Sequence, residues 1–348
     1  MKANKVKFLF IIIFSLIFWN GCSSPYENET EIEAQNEPEK FKEETGLPEE
    51  PQTEIELSEE ETDETEIVDI PLSIEQAAEY IFKLTEIWDA DNGELWGKTL
   101  HVPIVIFCHN THEIVTNAPD NEGLLSPVET EFGIVHTGIW TGKRAGNWIF
   151  YWNETWWGMS VWQNMLEWGA LETMAHEAFH VFQKNEWSIT DVKRLKHISE
   201  NKDGEVESIL GEVHALYRAW KSTGDKRIEA INEALSIRKL RHEKLEKDPL
   251  GQVYISFEIY NEIQEGMATY TQFNLTMREG DKIDEWYNEN IGYIESGIYP
   301  DWFFGYTSGS LYALLLDELG ASWKEGITTE THLAALLEEF LFNLQYVQ

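Results

Sequence analysis

The chain has 348 residues and a formal net charge of −37, because 63 acidic side chains are balanced by only 26 Lys and Arg. This balance excludes nucleic acid as an expected partner, since phosphate contacts need clustered basic side chains. With only two cysteines, Cys22 and Cys108, the chain also cannot build a disulfide-rich scaffold, and Cys108 is expected to be a buried free thiol.

Residues 1–22 have the composition of a secretory leader. Three lysines precede the apolar run 8–19, which is too short to cross a bilayer. The run leads into Asn20-Gly21-Cys22, which resembles a bacterial lipobox and makes Cys22 the expected lipidated first residue of the mature chain. Trp19 stands where lipoboxes usually carry an aliphatic residue, so cleavage by the ordinary signal peptidase and retention as an anchor are the alternatives. We expect an extracytoplasmic protein, lipid-anchored to a bacterial membrane.

Residues 23–70 differ sharply in composition from the rest of the chain. They hold nineteen acidic residues and two lysines, with hardly any aromatic side chains. Such a segment cannot bury enough apolar surface to offset its chain entropy, and its charges repel one another. The composition predicts a disordered, extended acidic tether.

Residues 71–348 are expected to form one α+β domain that is a monomer, β-rich over 98–163 and mainly helical over 164–348. Ser73 and Gln76 form a capping box for a first helix that extends to about Trp88. Apolar runs and alternation predict strands over 100–108 and 113–117, and more strands between 132 and 162. Helical periodicity predicts the later elements, at 166–183, 205–222, 226–246, 253–275, 308–319 and 331–346.

The most informative motif is His176-Glu177-Ala178-Phe179-His180, inside the helix predicted at 166–183. Residues four apart on a helix are separated by roughly 40° of rotation and one turn of rise, so both imidazoles can reach one ion. Glu177 lies roughly 100° round the helix and can face a water in an open coordination position. This H-E-x-x-H spacing is typical of zinc metallopeptidases, whereas a pair of core histidines without a metal is the alternative interpretation.

A hydrolytic zinc site uses three protein ligands, so a third ligand is expected downstream. Glu265 is the favoured candidate, because the small residues Gly266 and Ala268 would let its helix come close to the first. Glu258 and Glu262 share roughly the same helix face and stay as alternatives.

His176-Glu177-x-x-His180-x-x-Gln183, followed by Glu265-Gly266-x-Ala268-x-Tyr270, resembles the gluzincin zinc metallopeptidases, especially bacterial peptidase-MA-like proteins. The resemblance extends in order over 71–348 and implies a zincin-like fold. It implies one zinc ion held by His176, His180 and Glu265, with Glu177 as general base. The segment 157–162 resembles the edge strand of their active site, along which an extended peptide would bind. Many members carry an acidic residue four positions after the glutamate ligand, where this chain has Thr269.

A donor to the developing oxyanion is expected beside the metal. Tyr306 is the first candidate, since Gly305-Tyr306-Thr307-Ser308-Gly309 resembles the tyrosine-bearing helix start of the same family. Tyr270 is the second candidate, although it points roughly 140° away from Glu265 on the same helix. His197, in the loop after the motif helix, is the third.

The sequence therefore predicts a membrane-tethered, extracytoplasmic zinc metallopeptidase whose substrate is a peptide or protein. The alternative is a lipoprotein binding module without turnover, which would use the Trp-rich stretch from Trp140 to Trp168 to recognise peptide or cell-wall glycan. Intact Glu177 favours the enzyme, because binding alone does not need it. Packing of sheet faces is the simpler interpretation of the tryptophans.

Overall fold

The computed structural model describes residues 71–142, 146–187, 205–277, 280–296 and 300–347. The leader with Cys22, the tether and His197 lie outside these residues. Within the described part of the chain, no helix combines the length and the apolar character needed to cross a bilayer.

The described residues form helices and one six-stranded mixed sheet, which is compatible with the predicted α+β class. The strands are β1 Ile104–Phe107, β2 Glu113–Thr116, β3 Ser126–Glu129, β4 Ile134–Ile139, β5 Trp148–Trp152 and β6 Thr155–Val161. The helices are α1 Ile74–Asp91, α2 Trp162–Trp168, α3 Ala170–Glu186, α4 Glu205–Trp220, α5 Asp225–Leu245, α6 Gly251–Asn261, α7 Met267–Thr276, α8 Gly280–Glu295, α9 Pro300–Glu318 and α10 Leu333–Val347. A π-helical turn, Glu262–Gly266, joins α6 to α7.

The sheet has the order β3-β4-β2-β1-β6-β5, with β1 and β6 parallel and all other neighbours antiparallel. The prediction that residues 157–162 form an edge strand is therefore wrong, because β6 lies between β1 and β5. A two-residue turn, Asn153-Glu154, has positive φ at both positions and folds β5 back outside β6. The edge strand on this side of the sheet is β5.

Both ends of the first helix follow from local chemistry. The Ser73 hydroxyl accepts a hydrogen bond from the Gln76 backbone N–H, which confirms the N-cap, and α1 ends with Asn92 in the left-handed region. The Gln76 side chain donates to the Tyr80 hydroxyl instead of completing the capping box. The predicted helix 166–183 is interrupted at Gly169, whose φ is 98°, and the motif helix α3 begins after it.

Helix α3 packs closely on the sheet because β6 carries a glycine at the contact. A Cβ on Gly158 would lie 2.9 Å from the Ile104 side chain and 3.2 Å from the Glu177 carbonyl oxygen. Ile149 of β5 pairs with Gly158. The edge strand β5 therefore pairs with β6, the strand that packs against the backbone of Glu177.

The tryptophans of the β-rich part mostly pack the sheet face opposite α3. Trp157 is buried there with Phe107, Phe150 and Met159, and three more tryptophans border the cluster at 140, 148 and 152. Trp162 is buried in the main core on the other face. Packing of sheet faces therefore accounts for these five tryptophans. The second cysteine, Cys108, is a buried free thiol, as predicted.

The helical half encloses the main core and differs from the prediction in three places. The predicted helix 253–275 is interrupted by the π-helical turn. Helix α9 begins at Pro300, eight residues before the predicted start. Helix α8 was not predicted, although its buried side chains recur at helical spacing: Ile283, Tyr287, Ile291 and Ile294.

Candidate metal centre

Two elements bring three potential metal ligands together. Helix α3 supplies His176 and His180, and the π-helical turn supplies Glu265. The Nε2 atoms of the two histidines are 3.1 Å apart, and each lies 3.3 Å from Oε2 of Glu265. All three side chains are buried, and the Glu265 residue is only 2% exposed.

These separations fit a single zinc ion. A tetrahedral site with bonds of 2.0–2.1 Å holds its donor atoms about 3.3–3.4 Å apart. Two imidazole nitrogens and a carboxylate oxygen are also the donor types that zinc prefers. Two nitrogen lone pairs and a carboxylate oxygen converging at this distance repel one another unless a proton or a cation lies among them. His176, His180 and Glu265 therefore form a set that a divalent cation would complete.

The rival carboxylates face a different helix. Glu258 forms a bidentate pair with Arg241, with both N–O distances at 3.1 Å. Glu262 accepts two hydrogen bonds from Arg238, at 2.7 and 2.8 Å. Both arginines belong to α5, and both ion pairs are buried. Neither carboxylate is directed at the histidines, so Glu265 is the carboxylate of the cluster.

The π-helical turn explains why the three glutamates do not share one face. In a continuous α-helix, residues 258, 262 and 265 would lie on the same side. A π turn takes in one extra residue, so side chains after it are rotated relative to those before it. Glu258 and Glu262 consequently face α5, whereas Glu265 faces α3.

The small residue after Glu265 serves a different contact from the one predicted. A Cβ on Gly266 would lie 2.6 Å from the Gly309 Cα and 2.8 Å from the Gly305 carbonyl oxygen. Gly266 thus permits a close approach of the π-helical turn to α9 and not to α3. Through this contact α9 lies beside the candidate centre.

Burial and mutual charge control the protonation of the cluster. Burial raises the pKa of Glu177 to about 8. Burial alone would lower the pKa of His180, but the Glu265 carboxylate raises it to about 9. For His176, burial outweighs the hydrogen bond to Glu265 and lowers the pKa. Burial would raise the pKa of Glu265, yet the two imidazoles hold it well below its usual range. Without a cation, the cluster keeps a proton on His180 at neutral pH.

Glu177 is buried beside this cluster and is close enough for His180 and Glu265 to influence its pKa. Among the described residues, its Oε2 atom has no hydrogen-bond partner. A buried carboxyl oxygen without a partner is costly and is characteristic of functional positions. This oxygen therefore needs a partner that the described side chains do not supply.

The structure separates the two tyrosine candidates. The Tyr306 ring stacks on His176, with centroids 5.6 Å apart and planes 7° from parallel. It lies inside α9 and not at a helix start, because α9 begins at Pro300. Tyr270 is fully buried and donates its hydroxyl hydrogen to Asp317, which takes it away from the cluster.

One glutamine holds an imidazole of the cluster, a role that the sequence did not suggest. Gln183 Oε1 lies 2.8 Å from Nδ1 of His180. Helical spacing gave the available signal, because Gln183 follows His180 by three residues. Thr269 is fully buried, and its hydroxyl has no hydrogen-bond partner among the described residues.

Comparison of the chain with protein-family models, with curated proteins and with solved structures finds no match. A function therefore has to be inferred from the residues and their geometry.

Proposed function

We propose that this protein is a zinc-dependent metallopeptidase of the gluzincin type with a zincin-like fold. In this proposal it is anchored by a lipid on Cys22 and acts outside the cytoplasm on a peptide or protein. The observation that carries the proposal is the convergence of three buried donor atoms at 3.1–3.3 Å, with Glu177 next in sequence to one of them.

His176, His180 and Glu265 would hold the zinc ion. Bound zinc would polarise a substrate carbonyl and make a nearby water more acidic. Three protein ligands leave room for a reacting group, which a structural site with four ligands would not. In the described part of the chain, no fourth His, Cys, Asp or Glu joins the cluster.

Glu177 is the general base in this proposal. Its backbone is fixed against Gly158 of β6, and one carboxyl oxygen has no partner among the described side chains. Glu177 would accept a proton from the attacking water and later donate it to the leaving amine. Both transfers require a carboxyl group whose pKa lies near the working pH. Burial moves the pKa of Glu177 in that direction.

The edge strand β5 supports an extended peptide as the substrate. It pairs with β6, and Gly158 of β6 packs against the Glu177 backbone. A peptide that pairs with β5 would form backbone hydrogen bonds with this edge. Tyr306, stacked on His176, is proposed as the donor that stabilises the developing oxyanion.

The test uses the full chain and the variants Glu177→Gln, Glu265→Gln and Glu172→Gln. Zinc content is measured by elemental analysis, and cleavage is measured with a quenched-fluorescent peptide library. We expect the parent and Glu177→Gln to bind one zinc ion. Cleavage by Glu177→Gln should fall about 100- to 10,000-fold, the range expected for loss of a general base. Glu265→Gln should lose zinc and activity together.

Glu172→Gln is the matched control, because Glu172 lies on the same helix but pairs with the exposed Lys282 and not with the cluster. It should keep both zinc and activity. A parent chain that binds no zinc, or a Glu177→Gln variant that cleaves at the parent rate, would refute the proposed function.

A further inference from the structure

The side chain of Gln183 connects the two elements that carry the candidate ligands. Its Nε2 donates to the backbone carbonyl oxygens of Ile263 and Gln264, at 2.8 and 2.9 Å. Its Oε1 lies 2.8 Å from Nδ1 of His180. The residue is only 1% exposed, so these contacts are closed to solvent.

The carbonyl contacts determine which way the amide points. Carbonyl oxygens only accept hydrogen bonds, so the atom that faces Ile263 and Gln264 must be the NH₂ group. The oxygen of Gln183 therefore faces His180 and accepts from it. His180 must then carry a hydrogen on Nδ1, which directs its Nε2 towards His176 and Glu265.

The same amide also supports the π-helical turn. Ile263 and Gln264 lie in this turn, immediately before Glu265. The turn rotates Glu265 away from the face of Glu262 and towards α3. Two hydrogen bonds from one α3 side chain fix the turn at the position where this rotation occurs.

We infer that Gln183 is a positioning residue that fixes the ring of His180 and the π-helical turn of Glu265 in one geometry. Insofar as it concerns metal binding, this inference rests on the proposed function. No other common side chain of this length has both an acceptor and two donors at its end. A glutamate lacks the donors, and a methionine lacks the donors and offers only a weak thioether acceptor.

The test compares the full chain with Gln183→Met, Gln183→Glu and the control Asn290→Leu. Asn290 is a buried amide on α8 that donates to the Trp286 carbonyl oxygen. Zinc affinity is measured by competition with a chromophoric chelator. Gln183→Met and Gln183→Glu should bind zinc about 10- to 100-fold more weakly, as is usual when support of a metal ligand is lost. Asn290→Leu should bind it like the parent.

A second measurement needs no metal. In the metal-free chain labelled with ¹⁵N-histidine, the Nδ1 proton of His180 should exchange slowly, because Gln183 accepts its hydrogen bond. This proton should remain protected in Gln183→Glu and lose its protection in Gln183→Met. Because Gln183→Glu keeps the acceptor but not the donors, it separates the two parts of the role.

Unchanged zinc affinity in Gln183→Met, as expected for Asn290→Leu, would reduce Gln183 to a core residue and overturn the inference. An unprotected His180 Nδ1 proton in the parent would also overturn it. A parent chain that binds no zinc but shows the protected proton would instead refute the proposed function and leave the inferred His180 contact supported.

Discussion

The contact between Gly266 and α9 gives the sharpest test of how the candidate centre is built. In Gly266→Ala, the new Cβ would lie 2.6 Å from the Gly309 Cα, 2.8 Å from the Gly305 carbonyl oxygen and 3.0 Å from the Gly309 carbonyl carbon. All three atoms belong to the backbone, so no rotamer change can relieve the clash. Overpacking of this kind costs about 1–3 kcal/mol, and backbone contacts place it at the upper end. Alanine would regain up to about 1 kcal/mol of helix propensity. The net loss should be about 2 kcal/mol.

The assay is urea unfolding of the full chain, with Gly292→Ala as the matched control. Gly292 is also inside a helix, and nothing lies within 4 Å of a Cβ built there. This control should be stabilised by about 0.5–1 kcal/mol, since only helix propensity changes. Because Gly266 directly follows the candidate ligand Glu265 in the π-helical turn, Gly266→Ala should also weaken zinc binding, whereas Gly292→Ala should not. A Gly266→Ala variant at least as stable as the parent would refute the close-approach argument.

Two further outcomes follow from buried charge. Arg238→Met leaves Glu212 and Glu262 without their shared cation and should lower the free energy of unfolding in urea by about 3–5 kcal/mol. Arg218→Met breaks an exposed ion pair and should lower it by less than about 1 kcal/mol. Equal losses in the two variants would contradict this prediction. Burial raises the pKa of Glu177 from 4.5 to about 8, so folding disfavours its ionised form and the metal-free parent loses stability as pH rises through that interval. Glu177→Gln does not undergo this loss. Its free energy of unfolding should therefore exceed that of the parent by nearly zero at pH 4 and by at most about 4 kcal/mol at pH 8. A difference that does not change with pH would show that Glu177 is not buried as described.

The parts of the site that depend on one helix could be predicted from the sequence. The spacing of His176 and His180 needs only the period of an α-helix, and apolar periodicity located that helix. Glu265 could be proposed but not separated from Glu258 and Glu262, because one continuous helix was assumed. The π-helical turn depends on contacts with α3, α5 and α9, which are far apart in sequence. The local sequence does not predict those contacts.

The sheet shows the same division between local and non-local information. The strands β1 and β2 were located by their apolar residues and β6 by its resemblance to an active-site edge strand, yet the edge was assigned to the wrong strand. Which strand lies at the edge depends on the turn between β5 and β6. Asn153-Glu154 adopts the backbone of a tight hairpin, but without the Asn-Gly pair that usually indicates it. Helix α8, by contrast, was predictable, because its buried residues have clear helical periodicity.

Charge pairing offers a physical reason for the difference between Glu265 and its neighbours. Three buried carboxylates, Glu212, Glu258 and Glu262, share Arg238 and Arg241 of α5, and His242 contacts Glu258 at 2.8 Å. A buried carboxylate without a cation is costly, and no arginine of this network reaches Glu265. In the described residues its ion-pair partners are the two imidazoles, and the pKa of His180 is raised to about 9 as a result. A divalent cation would neutralise Glu265 and allow both histidines to be neutral, which is the form that binds metal. The arginine network thus leaves one carboxylate for a cation to neutralise, and the π-helical turn directs that carboxylate to the motif helix.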